Sequence, residues 1–305
     1  MTSVTKILFI GPTRVGDSVL ASSVLNYYYH IYPTAQFTIV TSRFSKELFA
    51  RFPRLDDLFV IDKMPYKMHW PKVWWSVVGQ RWDLVIDLRS SPVSYFLRAN
   101  ERKVFNGHDD AGHMVEQFSR FLSATLPLQP KIWYDQADRA DANRVLSGSG
   151  PFLAVSPFSN WSPKDWPIEQ YLVLLNGDYF KKYTIVLTGI TKDVRDQSAL
   201  DFFLDQVQLP VINLFDWGHL RHMVPIFERC DFFVGSDSGL MHLAASTQCK
   251  TLGLFGPTNA VRYRPWNNYV VQSDNRSREV ECVDLSVDQV LGAIMKMCRS
   301  IDYVS

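Results

Sequence analysis

Short apolar runs separated by helix-length segments constrain the fold of this 305-residue chain more than any other feature. The runs are apolar throughout rather than at every second position, as in strands that helices cover on both faces. This pattern predicts βαβ units and parallel sheets. The predicted strands cover residues 6–10, 37–41, 58–61, 84–87, 103–105, 152–155, 184–187, 211–213, 232–234, 251–255 and 270–271. The clearest predicted helices cover residues 18–32 and 114–126.

A stretch of small, flexible residues at 147–151 interrupts this pattern and predicts a domain boundary. The expected domains are residues 1–148 and 149–305, each close to the usual domain size of about 150 residues. Each is expected to be a Rossmann-like, doubly wound parallel sheet, and ligands bind beyond the carboxyl ends of such strands. The sequence therefore predicts two α/β domains facing across a cleft, with a terminal helix at 286–299 that can pack back on the first domain.

Composition excludes several classes of protein. The formal net charge of +1 provides no general basic field, so a nucleic-acid partner is not expected. Residues 1–150 hold 18 Lys and Arg against 14 Asp and Glu, a surplus compatible with an anionic acceptor or membrane surface. The four cysteines form no CxxC pair, and we find neither a signal-peptide pattern nor an apolar run of about 20 residues. A soluble cytoplasmic protein is expected.

The most informative segment, residues 230–245, has the pattern of a strand, a tight turn and a helix. Gly235 permits a sharp exit from the strand, and Asp237 or Ser238 can cap the helix. Unpaired N–H groups at such a helix start bind anions, which predicts a diphosphate site. A purely structural capped helix with a buried histidine remains the alternative. The predicted donor-binding residues here are Asp237, Ser238, Gly239, Leu240 and His242.

Together with the later sequence Phe255-Gly256-Pro257-Thr258, the segment D-S-G-L-M-H-L-A closely resembles the bacterial heptosyltransferases of glycosyltransferase family nine. The resemblance implies a GT-B fold in which the C-terminal domain holds a nucleotide-sugar. It further implies an inverting, metal-independent transfer of heptose from ADP-heptose, with no cofactor. The acceptor would be a lipopolysaccharide core or a related glycan.

Two loops that follow the first strand of each predicted domain extend this resemblance. Asp17, in G-P-T-R-V-G-D, is an ordinary helix cap by spacing alone. The resemblance assigns it as the general base that deprotonates the acceptor hydroxyl, and assigns Lys164, in K-D-W-P, to stabilising the departing diphosphate. The same comparison places Thr13, Arg14 and Gly16 in an acceptor-side loop, and Ser159 and Asn160 beside the phosphates.

The region that contacts the nucleoside departs from the family pattern. Residues 215–220 replace its short Thr/Ser-Leu turn, which leaves the base and the sugar open, although Asp216 can bond a ribose hydroxyl. A GT-B nucleotide-sugar epimerase and a non-catalytic sugar-nucleotide-binding protein are the alternative functions. The glycine-rich fingerprint of dehydrogenases is absent.

The expected partners are a nucleotide-sugar donor and a glycolipid or oligosaccharide acceptor. We also expect a monomer with a possible peripheral contact to the anionic inner membrane. His108, Asp109, Asp110 and His113 resemble metal ligands, but their spacing favours a loop and a helix cap, so no metal site is expected.

Overall fold

The computed structural model describes residues 5–62, 64–107, 112–148, 150–280 and 282–299. Contacts divide the chain into two units, Met1–Asp135 and Gln136–Ser305. Each unit is an α/β domain built on one sheet whose strand pairs are parallel. The predicted fold class of two Rossmann-like parallel-sheet domains is confirmed.

A five-stranded sheet with the order β3-β2-β1-β4-β5 forms the centre of the first unit. Its strands are β1 (Lys6–Ile10), β2 (Gln36–Ser42), β3 (Leu55–Ile61), β4 (Arg81–Asp87) and β5 (Arg98–Val104). Its helices are α1 (Val15–Ile31), α2 (Lys46–Phe49), α3 (His69–Val77) and α4 (Met114–Leu122). Because β1 pairs with β2 and β4, the loop after β1 leaves from the middle of the carboxyl edge.

A six-stranded sheet with the order β11-β10-β9-β6-β7-β8 forms the second unit. Its strands are β6 (Phe152–Ser156), β7 (Thr184–Gly189), β8 (Val211–Phe215), β9 (Phe232–Ser236), β10 (Lys250–Phe255) and β11 (Tyr269–Gln272). Its helices are α5 (Gln136–Val145), α6 (Ile168–Leu175), α7 (Val194–Gln206), α8 (Met223–Phe227), α9 (Gly239–Ala245), α10 (Ala260–Tyr263) and α11 (Val287–Arg299).

The burial of each strand explains how accurately its position was predicted from the sequence. Residues 7–10 of β1 have no exposed surface, as expected for a central strand between two helical layers. The edge strand β5 instead begins at Arg98, well before the predicted residue 103, and most of its side chains are exposed. An edge strand has only one neighbouring strand and can carry polar side chains. A search for apolar runs therefore finds only part of β5.

The division between the units falls earlier in the chain than the boundary predicted at residues 148 and 149. Helix α5 belongs to the second unit because the carboxylate of Asp138, 2% exposed, binds two side chains there. Nε of Arg221 and Nε2 of His222 lie 3.0 and 2.9 Å from Oδ1 of Asp138. The described residues of the small stretch, 147–148 and 150–151, thus lie between α5 and β6.

The helix ends differ modestly from prediction. Helix α1 begins at Val15, so its first turn includes the predicted loop residues Gly16 and Asp17. The terminal helix α11 starts after Ser286, whose hydroxyl accepts a hydrogen bond from the Gln289 N–H at 3.2 Å. Its inner face is buried in the core of the second unit. No helix in the described ranges has the length and apolarity needed to cross a membrane.

Candidate functional site

The carboxyl edge of the second sheet brings two predicted loops together. Strands β6 and β9 are neighbours, so the segments 157–165 and 237–240 leave the sheet side by side. Nζ of Lys164 lies 2.8 Å from Oδ2 of Asp237 and 3.4 Å from its carbonyl oxygen. The side chains of Lys164 and Asp237 are 18% and 7% exposed. This ion pair is therefore largely shielded, while the ammonium remains partly accessible.

Helix α9 begins immediately after this ion pair. Its N-cap is Ser238, whose hydroxyl accepts a hydrogen bond from the Met241 N–H at 3.4 Å. The N–H groups of Gly239 and Leu240 meet no acceptor in the described part of the chain, and both residues are partly exposed. Two donors and the positive end of the helix dipole thus lie next to the Lys164 ammonium. This combination suits an anion.

Gly235 and His242 support this edge from inside the unit. Gly235 lies within β9 rather than at a sharp exit from it, and a Cβ there would come within 2.6 Å of the Ser156 carbonyl oxygen. Glycine is therefore required by the close approach of β6. His242 is 5% exposed, and its Nε2 lies 3.9 Å from Oδ1 of Asp237. It stands beside the carboxylate, within the packed part of the site.

Ser159 and Asn160, both predicted to lie beside the phosphates, have different surroundings. Ser159 is 5% exposed, and its hydroxyl donates to the carbonyl oxygen of Trp161 at 3.0 Å. Asn160 is exposed. Ser159 therefore shapes the loop that carries Lys164, whereas the Asn160 side chain is open to solvent.

Asp165 is a member of this loop that sequence reasoning missed. Its Oδ1 accepts a hydrogen bond from the Ser159 N–H at 2.7 Å, which closes the loop just beside Lys164. Burial raises the pKa of Asp165 to about 6, although the hydrogen bonds from Ser159 oppose this rise. The K-D-W-P motif contains Asp165, but the sequence does not reveal that this carboxyl is buried, because its burial depends on the folded loop.

Asp216, the predicted ribose contact, lies away from this ion pair. It follows β8, the third strand from β9, which places it about 14 Å along the sheet edge. The residue has a left-handed backbone with φ of 55°. Its carboxylate accepts hydrogen bonds from the N–H and the hydroxyl of Thr191. The structure thus shows Asp216 holding the loop after β7.

The F-G-P-T turn after β10 borders the Lys164 loop from the other side. A Cβ on Gly256 would lie 3.2 Å from the carbonyl oxygen of Pro163. Oγ1 of Thr258 in this turn is buried and has no hydrogen-bond partner among the described residues. Thr258 is therefore a candidate ligand contact that the motif contained but the sequence analysis did not single out.

In the first unit, the loop after β1 is fixed to its neighbours by hydrogen bonds. The Ser42 hydroxyl donates to the Thr13 carbonyl oxygen at 2.7 Å, and the Ser18 hydroxyl donates to that of Pro12 at 3.1 Å. Arg14 is the exposed N-cap residue of α1, with no side-chain cap bond. Asp17 lies in the first helical turn instead of at the cap, where the helix dipole favours a carboxylate.

Asp87, the last residue of β4, and Arg89, two residues after it, lie at the same edge and were also missed. The Leu88 N–H donates to the Ile10 carbonyl oxygen at 3.0 Å, which joins this segment to the end of β1. Burial raises the pKa of Asp87, while hydrogen bonds from Ser91 oppose the rise. The Arg89 guanidinium lies 4.7 Å from the ring centroid of Trp70. Its Nη1 is buried and has no hydrogen-bond partner among the described residues.

The residues with metal-ligand character do not form a cluster in the described part of the chain. No group of three or more His, Cys, Asp or Glu side chains there could hold a metal ion. His113 caps α4, since its ring accepts a hydrogen bond from the Val115 N–H at 3.2 Å. His108, Asp109 and Asp110 lie outside the described residues.

Comparison with known proteins identifies the family. The model of glycosyltransferase family 9 (heptosyltransferase) matches residues 107–288. Lipooligosaccharide heptosyltransferase 2 of Haemophilus influenzae is 24% identical over 298 residues, covering 85% of each chain. A family 9 glycosyl transferase from Veillonella parvula matches 98% of this chain and 99% of its own, with a TM-score of 0.81 and 17% identity.

The crystal structure of the Escherichia coli ADP-heptose lps heptosyltransferase II also matches, with a TM-score of 0.74 and 19% identity over 98% of this chain and 100% of that one. These similarities identify the pair of parallel-sheet domains as a GT-B fold. Because the family model spans more than half of the sequence, the chain belongs to glycosyltransferase family 9 and is a glycosyltransferase.

Proposed function

We propose that this protein transfers heptose from ADP-heptose to a lipopolysaccharide core or related glycan, with inversion at the anomeric carbon and without a metal or other cofactor. This proposal rests mainly on the Lys164–Asp237 ion pair beside the start of α9. The names of the relatives support the donor and the acceptor class.

On the donor side, the diphosphate binds at the Lys164 ammonium and the N–H groups of Gly239 and Leu240. Negative charge on the diphosphate grows as the glycosidic bond breaks, and a fixed cation with two amide dipoles stabilises it.

The remaining donor-side residues support this site. Ser238 fixes the start of α9, and His242 orients Asp237. Ser159 holds the loop, Asn160 and Thr258 border the phosphates, and Asp216 positions the loop nearest the nucleoside.

On the acceptor side, Asp17 takes the proton from the attacking hydroxyl. Inversion requires a single displacement, so one base and one stabilised leaving group are sufficient. Thr13, Arg14 and Gly16 contact the acceptor. Arg89 binds an anionic group of it, because the guanidinium already stacks on Trp70 and keeps one nitrogen without a partner among the described residues.

The acceptor class also bears on where the protein works. A lipopolysaccharide precursor is a membrane lipid, so we propose that the protein works in the cytoplasm and contacts the inner membrane peripherally. We also propose that it is a monomer. The basic surplus of the first half supports this, because anionic lipids attract Lys and Arg side chains.

Replacing Asp17 by asparagine tests the mechanism. Because a general base contributes about 10²–10⁴ in rate, Asp17→Asn should lower kcat by at least about 100-fold and leave donor binding unchanged. The matched control is Glu47→Gln, which neutralises a carboxylate in the first turn of α2 and should keep the normal rate.

A near-normal rate for Asp17→Asn would remove Asp17 as the base. Conversion of the nucleotide-sugar without any acceptor would instead indicate an epimerase.

A further inference from the structure

One side of the first unit exposes large apolar side chains in two neighbouring segments. Tyr66 lies on the 3₁₀ turn Pro65–Lys67, Met68 lies between this turn and α3, and Trp75 lies on α3. Tyr95 and Phe96 lie on the 3₁₀ turn Pro92–Phe96. Exposure reaches 96% for Tyr66, 78% for Trp75 and 72% for Phe96. Of the six exposed aromatic side chains in the described ranges, four belong to these segments. Such clustering is typical of an interaction surface rather than of scattered exposure.

Packing fixes these side chains in their outward positions. The inner face of α3 is buried through His69, Val73 and Val77, one helical turn apart from each other. Nε1 of Trp74 donates to the Phe96 carbonyl oxygen at 3.1 Å, which joins α3 to the second segment. Trp75 therefore lies on the face opposite the core, and the surface is a built feature of the unit.

The same segments contain cations but no carboxylates. Residues 65–77 and 92–96 include Lys67 and Lys72 and no Asp or Glu, in a chain with 32 basic and 31 acidic residues. Lys72 is exposed one helical turn before Trp75. Asp62, the carboxylate next to the first segment, pairs with Arg43 at 3.9 Å. We name the exposed side chains of Tyr66, Met68, Lys72, Trp75, Tyr95 and Phe96 the aromatic–basic surface.

We infer that the aromatic–basic surface docks the protein on an anionic lipid bilayer. Trp and Tyr favour the membrane–water interface, and Lys and Arg next to them are attracted by anionic headgroups. The aromatic side chains and Met68 would also suit a protein interface, but the positive charge of these segments, with no carboxylate beside it, favours the anionic bilayer. The inference deepens the proposed function, on which it rests: an enzyme that glycosylates a membrane lipid must reach that lipid at the bilayer surface.

Vesicle sedimentation with the full chain tests the inference. The vesicles contain phosphatidylglycerol with phosphatidylcholine, or phosphatidylcholine alone, and neither acceptor nor nucleotide is present. The protein should bind the anionic vesicles, and added salt should weaken this binding.

The double variant Trp75→Ser with Phe96→Ser should lower the partition coefficient by about tenfold or more, and Lys72→Glu should lower it further. Phe202→Ser, which removes an exposed aromatic side chain of α7, is the matched control and should bind normally.

Unchanged binding by the double variant would overturn the inference, as would failure of the unaltered chain to bind anionic vesicles.

Gel filtration tests whether the surface instead joins two copies of the chain. If the chain self-associates and the double variant abolishes this, the surface is a contact between two copies and the membrane role is overturned. Thermal unfolding of each variant shows that it is folded. Transfer to a soluble acceptor without vesicle binding would refute only the docking, whereas vesicle binding without transfer to any acceptor would refute only the proposed function.

Discussion

Replacing Lys164 by glutamine, alone and together with Asp237→Asn, tests how the ion pair serves the diphosphate. In the structure the ammonium lies 2.8 Å from the Asp237 carboxylate, at the start of α9. If the diphosphate binds there, the cation has two tasks. It contacts the phosphates directly, and it shields them from a carboxylate of the same charge.

The two tasks contribute separately to affinity. Loss of one charge-assisted contact costs about 1.5–3 kcal/mol. An unshielded carboxylate about 5 Å from a phosphate charge adds about 3 kcal/mol of repulsion at an effective dielectric constant of about 20. Lys164→Gln alone should therefore weaken nucleoside diphosphate binding by about 10³- to 10⁴-fold. In the Asp237→Asn background only the contact is lost, so the same change should cost about 10- to 100-fold.

Titration calorimetry with ADP on the four proteins of this cycle measures the difference. Lys181→Gln is the matched control, because Lys181 pairs with Asp178 in the same unit just before the amino end of β7, and this change should leave the affinity unchanged. Equal losses in both backgrounds, to within about 0.5 kcal/mol, would refute the idea that Asp237 lies beside the diphosphate. Normal affinity for Lys164→Gln would refute the site itself.

Two further predictions concern stability. The raised pKa of Asp165, about 6, lets the folded state keep a proton that the unfolded state releases, so the free energy of unfolding should fall by about 2–3 kcal/mol as pH rises from about 4 to about 6. Asp165→Asn should remove this component, and identical urea-unfolding profiles against pH in both proteins would contradict it. Arg221→Met should lower the free energy of unfolding by about 2–3 kcal/mol, because Asp138 is buried and loses a charged partner. Lys181→Met, at an exposed ion pair, should change little in the same assay, and an equal loss in both variants would contradict the role of burial.

The sequence predicted the fold and the main loops because both depend on local pattern. Every predicted strand is present, since a strand covered on both faces must be apolar along its length. The helix start at residues 237–240 was predicted for a similar reason, because capping chemistry involves adjacent residues.

Features that depend on distant contacts were missed. Helix α5 was assigned to the first domain because its polar sequence gives no sign of the unit that it joins. That choice depends on Asp138 and on Arg221, which lies 83 positions further along the chain. The importance of Asp165 and Arg89 likewise follows from burial, which a single residue in a sequence does not reveal.

Strand order provides an independent criterion for ranking the candidate residues. In the second sheet the chain builds β6, β7 and β8 outward and then crosses to β9, so the direction of winding reverses between β6 and β9. In the first sheet it reverses between β1 and β4. Ligands of open α/β sheets bind at such reversals, beyond the carboxyl ends of the strands.

Lys164 and Asp237 follow the two strands at the reversal in the second sheet, and Asp17 and Arg89 follow the two strands at the reversal in the first. Asp216 follows the edge strand β8 and satisfies no such condition. The topology therefore favours Arg89, which the sequence did not single out, over Asp216, which it did, as a residue that touches substrate.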